Sequence, residues 1–111
     1  MYSIQKASLL AQIPSSTIRY YERVNLIPPL KRNKQGNRTF DDKDIEILNL
    51  ISCFRHLGMS IEVIKESTSN INLEYENMNT KAILLQHKKK LEEQIGILNS
   101  YIHEIDEKID I

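Results

Sequence analysis

The sequence predicts a mainly α-helical protein: a small head built on a helix-turn-helix with a short β-hairpin, followed by one long helix. Three observations predict it. Two short segments near the start carry apolar residues at helical spacing, separated by about three residues. A turn-rich stretch, Asn33-Lys34-Gln35-Gly36-Asn37, follows the Pro28-Pro29 pair. An apolar repeat of seven residues fills the last third of the chain.

The elements follow in order. Ser3 can cap a first helix running to about Gln12, with Ile4, Ala7, Leu10 and Ala11 as its apolar face. Pro14, with Ser15 and Ser16, marks the start of a second helix ending near Arg23. Ile18, Tyr21 and Val24 face inward there, and Ser16, Arg19, Tyr20 and Arg23 face outward. Asn25 is a left-handed stop. Pro28-Pro29 forces extended chain, and Leu30 to Phe40 forms two short strands around the turn. Asp41 caps a third helix to about Leu57, where Asp44 favours its positive end. Leu50, Phe54 and Leu57 mark its packed side. Gly58 ends it, and Ser60 caps a fourth helix to about Glu66. The expected organisation is a head over 1–67, a polar hinge over 68–79 and a long helix over 80–111.

In that long helix Leu84, Leu91, Leu98 and Ile105 recur every seven residues, interleaved with Ile95, Ile102 and Ile109. Lys81 and Lys88 interrupt the second row. Exposed to water, such a stripe is costly, and a second copy of the chain would cover it. Packing back onto the small head is the other way to cover it, but the stripe outlasts any face the head offers.

Composition excludes several function classes. The chain has 111 residues, 41% hydrophobic and 27% charged. It holds no apolar run long enough for a membrane span and opens on no apolar signal segment, so a cytoplasmic protein without membrane contact is expected. Its three glycines form no phosphate-binding loop, and no catalytic constellation or cofactor motif is present. An enzyme is therefore not expected, nor a cofactor. The net charge of zero hides an asymmetry. Residues 1–40 carry seven basic side chains against Glu22 alone, whereas 41–111 carry eight basic and fourteen acidic ones. A basic head suits an anionic partner.

A helix presenting Arg19, Tyr20 and Arg23, preceded by a shorter helix, suits the major groove of double-stranded DNA. Arginine can donate two hydrogen bonds to guanine or to phosphate, and the hydroxyls of Ser15, Ser16 and Thr17 suit phosphate. The basic hairpin, with Lys31, Lys34, Asn37 and Arg38, would reach neighbouring backbone or the minor groove. With a dimer seam, these features describe a two-fold binder of an inverted repeat.

The segments Thr17-Ile18-Arg19-Tyr20-Tyr21-Glu22-Arg23, Leu26-Ile27-Pro28-Pro29, Gly36-Asn37-Arg38 and Leu57-Gly58-Met59-Ser60-Ile61-Glu62 resemble the MerR family of bacterial transcription regulators. The resemblance covers about residues 2–67. It implies a winged helix-turn-helix, the hairpin being the wing, and a homodimer joined by an antiparallel coiled coil through Leu84, Leu91, Ile95, Leu98, Ile102, Ile105 and Ile109. It also implies a promoter with an overlong spacer, bent and untwisted so that RNA polymerase engages it, the polymerase being only an indirect partner. Two positions depart from the family pattern: Asn25 stands where glycine is usual, and Asn37 where an aromatic is common.

Cys53 is the single cysteine. It lies on a stripe with Glu46, Asn49 and His56, where His56 could stabilise a thiolate; free cysteines are otherwise commonly small buried apolar residues. The Ile51-Ser52-Cys53-Phe54-Arg55 context resembles the aldehyde- and electrophile-responsive branch of the family, which implies a sensing role for Cys53. One cysteine and three scattered histidines give no metal-ligand spacing, so no metal is expected. Lys88-Lys89-Lys90 reads as a solvated face or as a second DNA patch. A coiled-coil adaptor and a phage-type architectural DNA-binding protein are the alternative readings.

Overall fold

The computed structural model describes residues 1–69 and 80–110 and comprises two compact units, one built on the first of these stretches and one on the second. The first unit contains helices α1 (Ile4–Ala11) and α2 (Ser15–Arg23), strands β1 (Lys31–Arg32) and β2 (Arg38–Thr39), and helices α3 (Asp42–His56) and α4 (Ile61–Ser69). The second is the single helix α5 (Thr80–Ile109).

Helix α1 begins where the Ser3 side chain accepts the Lys6 N–H at 3.2 Å. Only Ala7 and Ala11 are buried along it, and these small side chains allow α2 and α3 to approach. Leu10, read as part of the apolar face, is 43% exposed and Ile4 is half-buried. The α1–α2 turn closes through Gln12 in the left-handed region (φ 56°), while Ile13 plugs the core beneath it. Pro14 sits at the N-cap of α2, one position earlier than the first-turn site proline usually takes. Ile18 and Tyr21 are buried from α2, as their spacing requires. Asn25 has φ 61°, so it makes the left-handed stop that glycine usually supplies.

The hairpin pairs Lys31 with Thr39 and Arg32 with Arg38. Its turn is organised by Asn33, whose side-chain oxygen accepts the Gln35 and Asn37 N–H groups, both at 3.0 Å. Gly36 has φ +80°, where a Cβ would be strained. A third extended segment joins it: Tyr2 and Phe40 exchange both backbone hydrogen bonds, at 2.7 and 2.9 Å. The sequence reading did not anticipate this bridge. It ties the N-terminus to the base of the hairpin above the fully buried Phe40 ring.

Asp41 caps α3, and the cap is reciprocal. Asp41 accepts the Asp44 N–H at 2.8 Å and Asp44 accepts the Asp41 N–H at 3.0 Å. The buried side of α3 is Leu48, Ile51 and Phe54, and Met59 and Ile64 beyond its end are buried as well. Leu50 is only half-buried and Leu57 is 43% exposed, because α3 ends at His56 and Leu57 turns outward as its cap. Gly58 (φ +88°) then reverses the chain, and Ser60 accepts the Val63 N–H at 3.1 Å to start α4. Helix α4 continues to Ser69, past the expected stop at Glu66. Within this last turn the Thr68 hydroxyl donates to the Ile64 and Lys65 carbonyls. The expected hinge at 68–79 therefore begins inside a helix, and its remainder lies outside the described residues.

Thirty residues of α5 span about 45 Å at helical rise. No described helix is long and apolar enough to cross a membrane.

Removing the Asp41 carboxylate isolates the value of its bond to the Asp44 N–H. Asp41→Ala should destabilise the protein by about 1 kcal/mol in urea melts, and Asp41→Asn, which keeps an acceptor, by less.

Candidate nucleic-acid interface

Helix α2 sorts its side chains cleanly. With Ile18 and Tyr21 locked in the core, Ser16, Arg19, Tyr20 and Arg23 are left exposed, while Ser15 and Thr17 at the helix start are half-buried. The Arg23 guanidinium carbon lies 5.3 Å from the Tyr20 ring centroid, a cation–π contact that orders both side chains on the free face. Arg19 stands one turn earlier and borders a cleft of about 420 Å³ whose other walls include Tyr2, Ser3, Arg32 and Asn37. The cleft thus opens between α2, the N-terminal segment and the hairpin. Lys31, Lys34 and Asn37 are exposed on the hairpin.

Arg38, read in the sequence as a DNA contact, also has a partner within the head. It is half-buried, and its Nε donates to Glu22 Oε1 at 2.7 Å. The other carboxylate oxygen, Oε2, accepts the Leu30 N–H at 2.7 Å. Arg32 Nη2 approaches the same Oε1 at 3.9 Å, while its Nη1 donates to the Gly36 carbonyl. Glu22, the only acidic residue before Asp41, is therefore the clasp between the free-faced helix and the hairpin. It relieves the like-charge pairing of Arg32 and Arg38 across the two strands. Burial alone would push the Glu22 carboxyl up. The Leu30 N–H and the Arg38 and Arg32 guanidiniums outweigh it and hold its pKa below the ordinary 4.5. A second clasp joins α4 to α2: Lys65 Nζ donates to the Val24 carbonyl at 2.8 Å, at the end of the helix where a cation is favoured.

A family model described as MerR HTH family regulatory protein matches residues 2–71, which spans the head just described. The chain belongs to the MerR family. It is a DNA-binding transcription regulator by that membership, and not an enzyme. It is 47% identical over 57 residues to the HTH-type transcriptional regulator AdhR of Bacillus subtilis strain 168, a match covering 51% of this chain and 41% of that protein. Over 108 residues it is 32% identical to the HTH-type regulator YyaN of the same organism, covering 97% of this chain and 78% of YyaN. Among solved structures it is similar to HiNmlR, a MerR family regulator lacking the sensor domain, bound to promoter DNA. There the identity is 29%, the TM-score 0.67, and the coverage 91% of this chain and 77% of that one.

In this MerR protein the remaining sequence-predicted residues fall in two places. Cys53 is exposed on α3, on a stripe with Glu46, Asn49 and His56, all likewise exposed. On α5, Leu91, Ile95, Leu98, Ile102, Ile105 and Ile109 are between 39% and 72% exposed in the single chain, and Leu84 is half-buried.

The clasp makes a pH-resolved prediction. The carboxyl's pKa is lowered on folding, so its stabilisation is full above about pH 4.5 and is lost as pH falls through the folded value. Glu22→Gln should cost about 1–3 kcal/mol at pH 7 in urea melts. The gap between the two proteins should close as the pH falls below 4.5 and through the lowered folded pKa, because protonation removes the same charge from the parent.

Proposed function

We propose that this MerR regulator binds an inverted-repeat promoter as a homodimer joined by antiparallel α5 helices. Each α2 enters a major groove, and each hairpin acts as a wing on the adjoining backbone. The observation that carries the reading is the exposed set Arg19, Tyr20, Arg23, Lys31 and Lys34, on a helix and a hairpin clasped together by Glu22. Arg19 and Arg23 read or grip DNA from α2. Ser15, Ser16 and Thr17 hydrogen-bond phosphate at the helix start, where the dipole favours an anion. Lys31, Lys34 and Asn37 touch backbone from the wing, and Arg38 holds the wing in place. Distortion of an overlong spacer then brings RNA polymerase into register, so part of the specificity comes from deformability. Such a protein works in the cytoplasm.

Cys53 gives the reading its signal. Its thiol is exposed, and the α3 context is similar to that of the electrophile-responsive branch, with AdhR among the relatives. Alkylation or oxidation there changes the surface of α3 and with it the transcriptional output. The uncovered α5 stripe speaks for the dimer over a monomeric architectural protein. The basic head speaks against a pure coiled-coil adaptor.

Arg19→Ala should weaken binding to the specific operator by about 1–3 kcal/mol while changing random-sequence binding less, measured by fluorescence anisotropy. Equal losses on both would make Arg19 a phosphate contact only. Parent affinity should fall steeply with salt, as the release of counterions requires. In reporter cells, Cys53→Ser should abolish the aldehyde response while leaving operator affinity unchanged. A full response from that variant would remove the thiol from the mechanism and leave the DNA reading intact.

A further inference from the structure

The charges along α5 are segregated. Residues 81–90 carry Lys81, Lys88, Lys89 and Lys90 and no acidic side chain. Residues 91–110 carry Glu92, Glu93, Glu104, Asp106, Glu107 and Asp110 against Lys108 alone. Two of the lysines, Lys81 and Lys88, stand in the same heptad row as the exposed Ile95, Ile102 and Ile109. A lysine in a seam row restricts which alignments of two helices are tolerable.

We propose that two copies of α5 pair in one register, with Ile95 opposite the partner's Leu98, Ile102 opposite the partner's Leu91, Ile109 opposite the partner's Leu84, and Lys88 over the partner's Ile105 and locked by the partner's Asp106. This rests on the dimer reading above and adds the alignment and its polar lock. Three observations select it. In an antiparallel pair each layer joins one heptad row to the other row of the partner, and this alignment uses every apolar member of both rows. It lays the lysine-bearing turn along the partner's 104–110 stretch, so opposite charges meet. Asp106 also belongs to the row of Leu85, Glu92 and Asn99, which borders the Lys88 row along one edge of the seam, so the ammonium can leave the apolar layer toward that carboxylate.

Competing alignments fail on the same residues. A parallel pair stacks Lys81 on the partner's Lys81 and Lys88 on the partner's Lys88, and lays the acidic stretches side by side. The antiparallel register separates the two Lys88 positions by about 25 Å, beyond the screening length at physiological salt. Sliding one heptad one way puts Lys88 against the partner's Leu98 and Lys81 against the partner's Ile105, two lysines in apolar layers. Sliding the other way takes Lys88 away from the partner's Asp106 and sets Glu92 beside that carboxylate along the edge of the seam, so like charges meet.

The test uses the full chain in a Cys53→Ser background with pairs of introduced cysteines, oxidised with diamide, beside sedimentation equilibrium. Within one helix the members of each pair are too far apart to bond, so a disulfide reports the partner. K88C/I105C should form covalent dimer at least about tenfold faster than K88C/L98C or I95C/I105C, because a disulfide needs Cα atoms within about 7 Å. Faster cross-linking of either control pair in a protein that still sediments as a dimer overturns the register and leaves the dimer reading standing. A monomer at micromolar concentration overturns both. The lock is read separately without cysteines: K88E should weaken dimerisation by about tenfold, and K88E/D106K should restore it. An unchanged dissociation constant for K88E, or no rescue by the charge swap, overturns the lock.

Discussion

Glu22 bridges helix α2 and the hairpin with one carboxylate. A hairpin with two residues in each strand has too few ladder bonds to be stable alone. Its paired strands also set Arg32 against Arg38, a repulsive arrangement in a protein that needs cations on this surface. One carboxylate on α2 resolves both difficulties. It accepts the Leu30 N–H at the base of the hairpin and the Arg38 Nε near its return. The hairpin is thereby indexed to the helix that carries Arg19 and Arg23. In the proposed complex the spacing between helix and hairpin is what a duplex would read, so a positional constraint would become a functional one.

The two units solve their apolar burdens differently. The head buries Ile18, Phe40, Leu48, Ile51, Phe54 and Ile64 completely and is self-sufficient in that sense. Helix α5 keeps six large aliphatic side chains of one stripe in water. At about 25 cal/mol per Å² of apolar surface, leaving such a stripe wet forfeits several kcal/mol, which the proposed second copy would recover. The surface pairs of α5, His103 with Glu107 and Lys108 with Glu104, are exposed i,i+4 contacts and supply little stability of their own.

Much of this was legible in the sequence because the signals were local. Ser3, Asp41 and Ser60 cap helices within three residues of themselves, Asn25, Gly36 and Gly58 mark positive φ, and the outward face of α2 follows from helical period. What escaped was non-local. The Tyr2–Phe40 bridge joins segments far apart in the chain and has no local pattern. The Glu22–Arg38 clasp reads in sequence as one acid and one base sixteen residues apart; the only hint was a lone carboxylate amid seven cations. Leu10 and Leu57 misled because period says which residues share a face but not how far a neighbour covers it. Cys53 was placed correctly on a polar stripe, since that stripe is defined by its own helix.

The most direct test of the clasp is the nitrogen-15 NMR signal of the Arg38 Nε–H group in the full chain. A bond to the Glu22 carboxylate at 2.7 Å should move this signal downfield, slow its exchange with water and make it titrate with the Glu22 carboxyl. In Glu22→Gln the shift and the titration should vanish while the signals of Arg19 and Arg55, which do not touch Glu22, stay in place. An Arg38 signal that exchanges as fast as that of exposed Arg19 in the parent protein, or is unchanged by the substitution, would contradict the account.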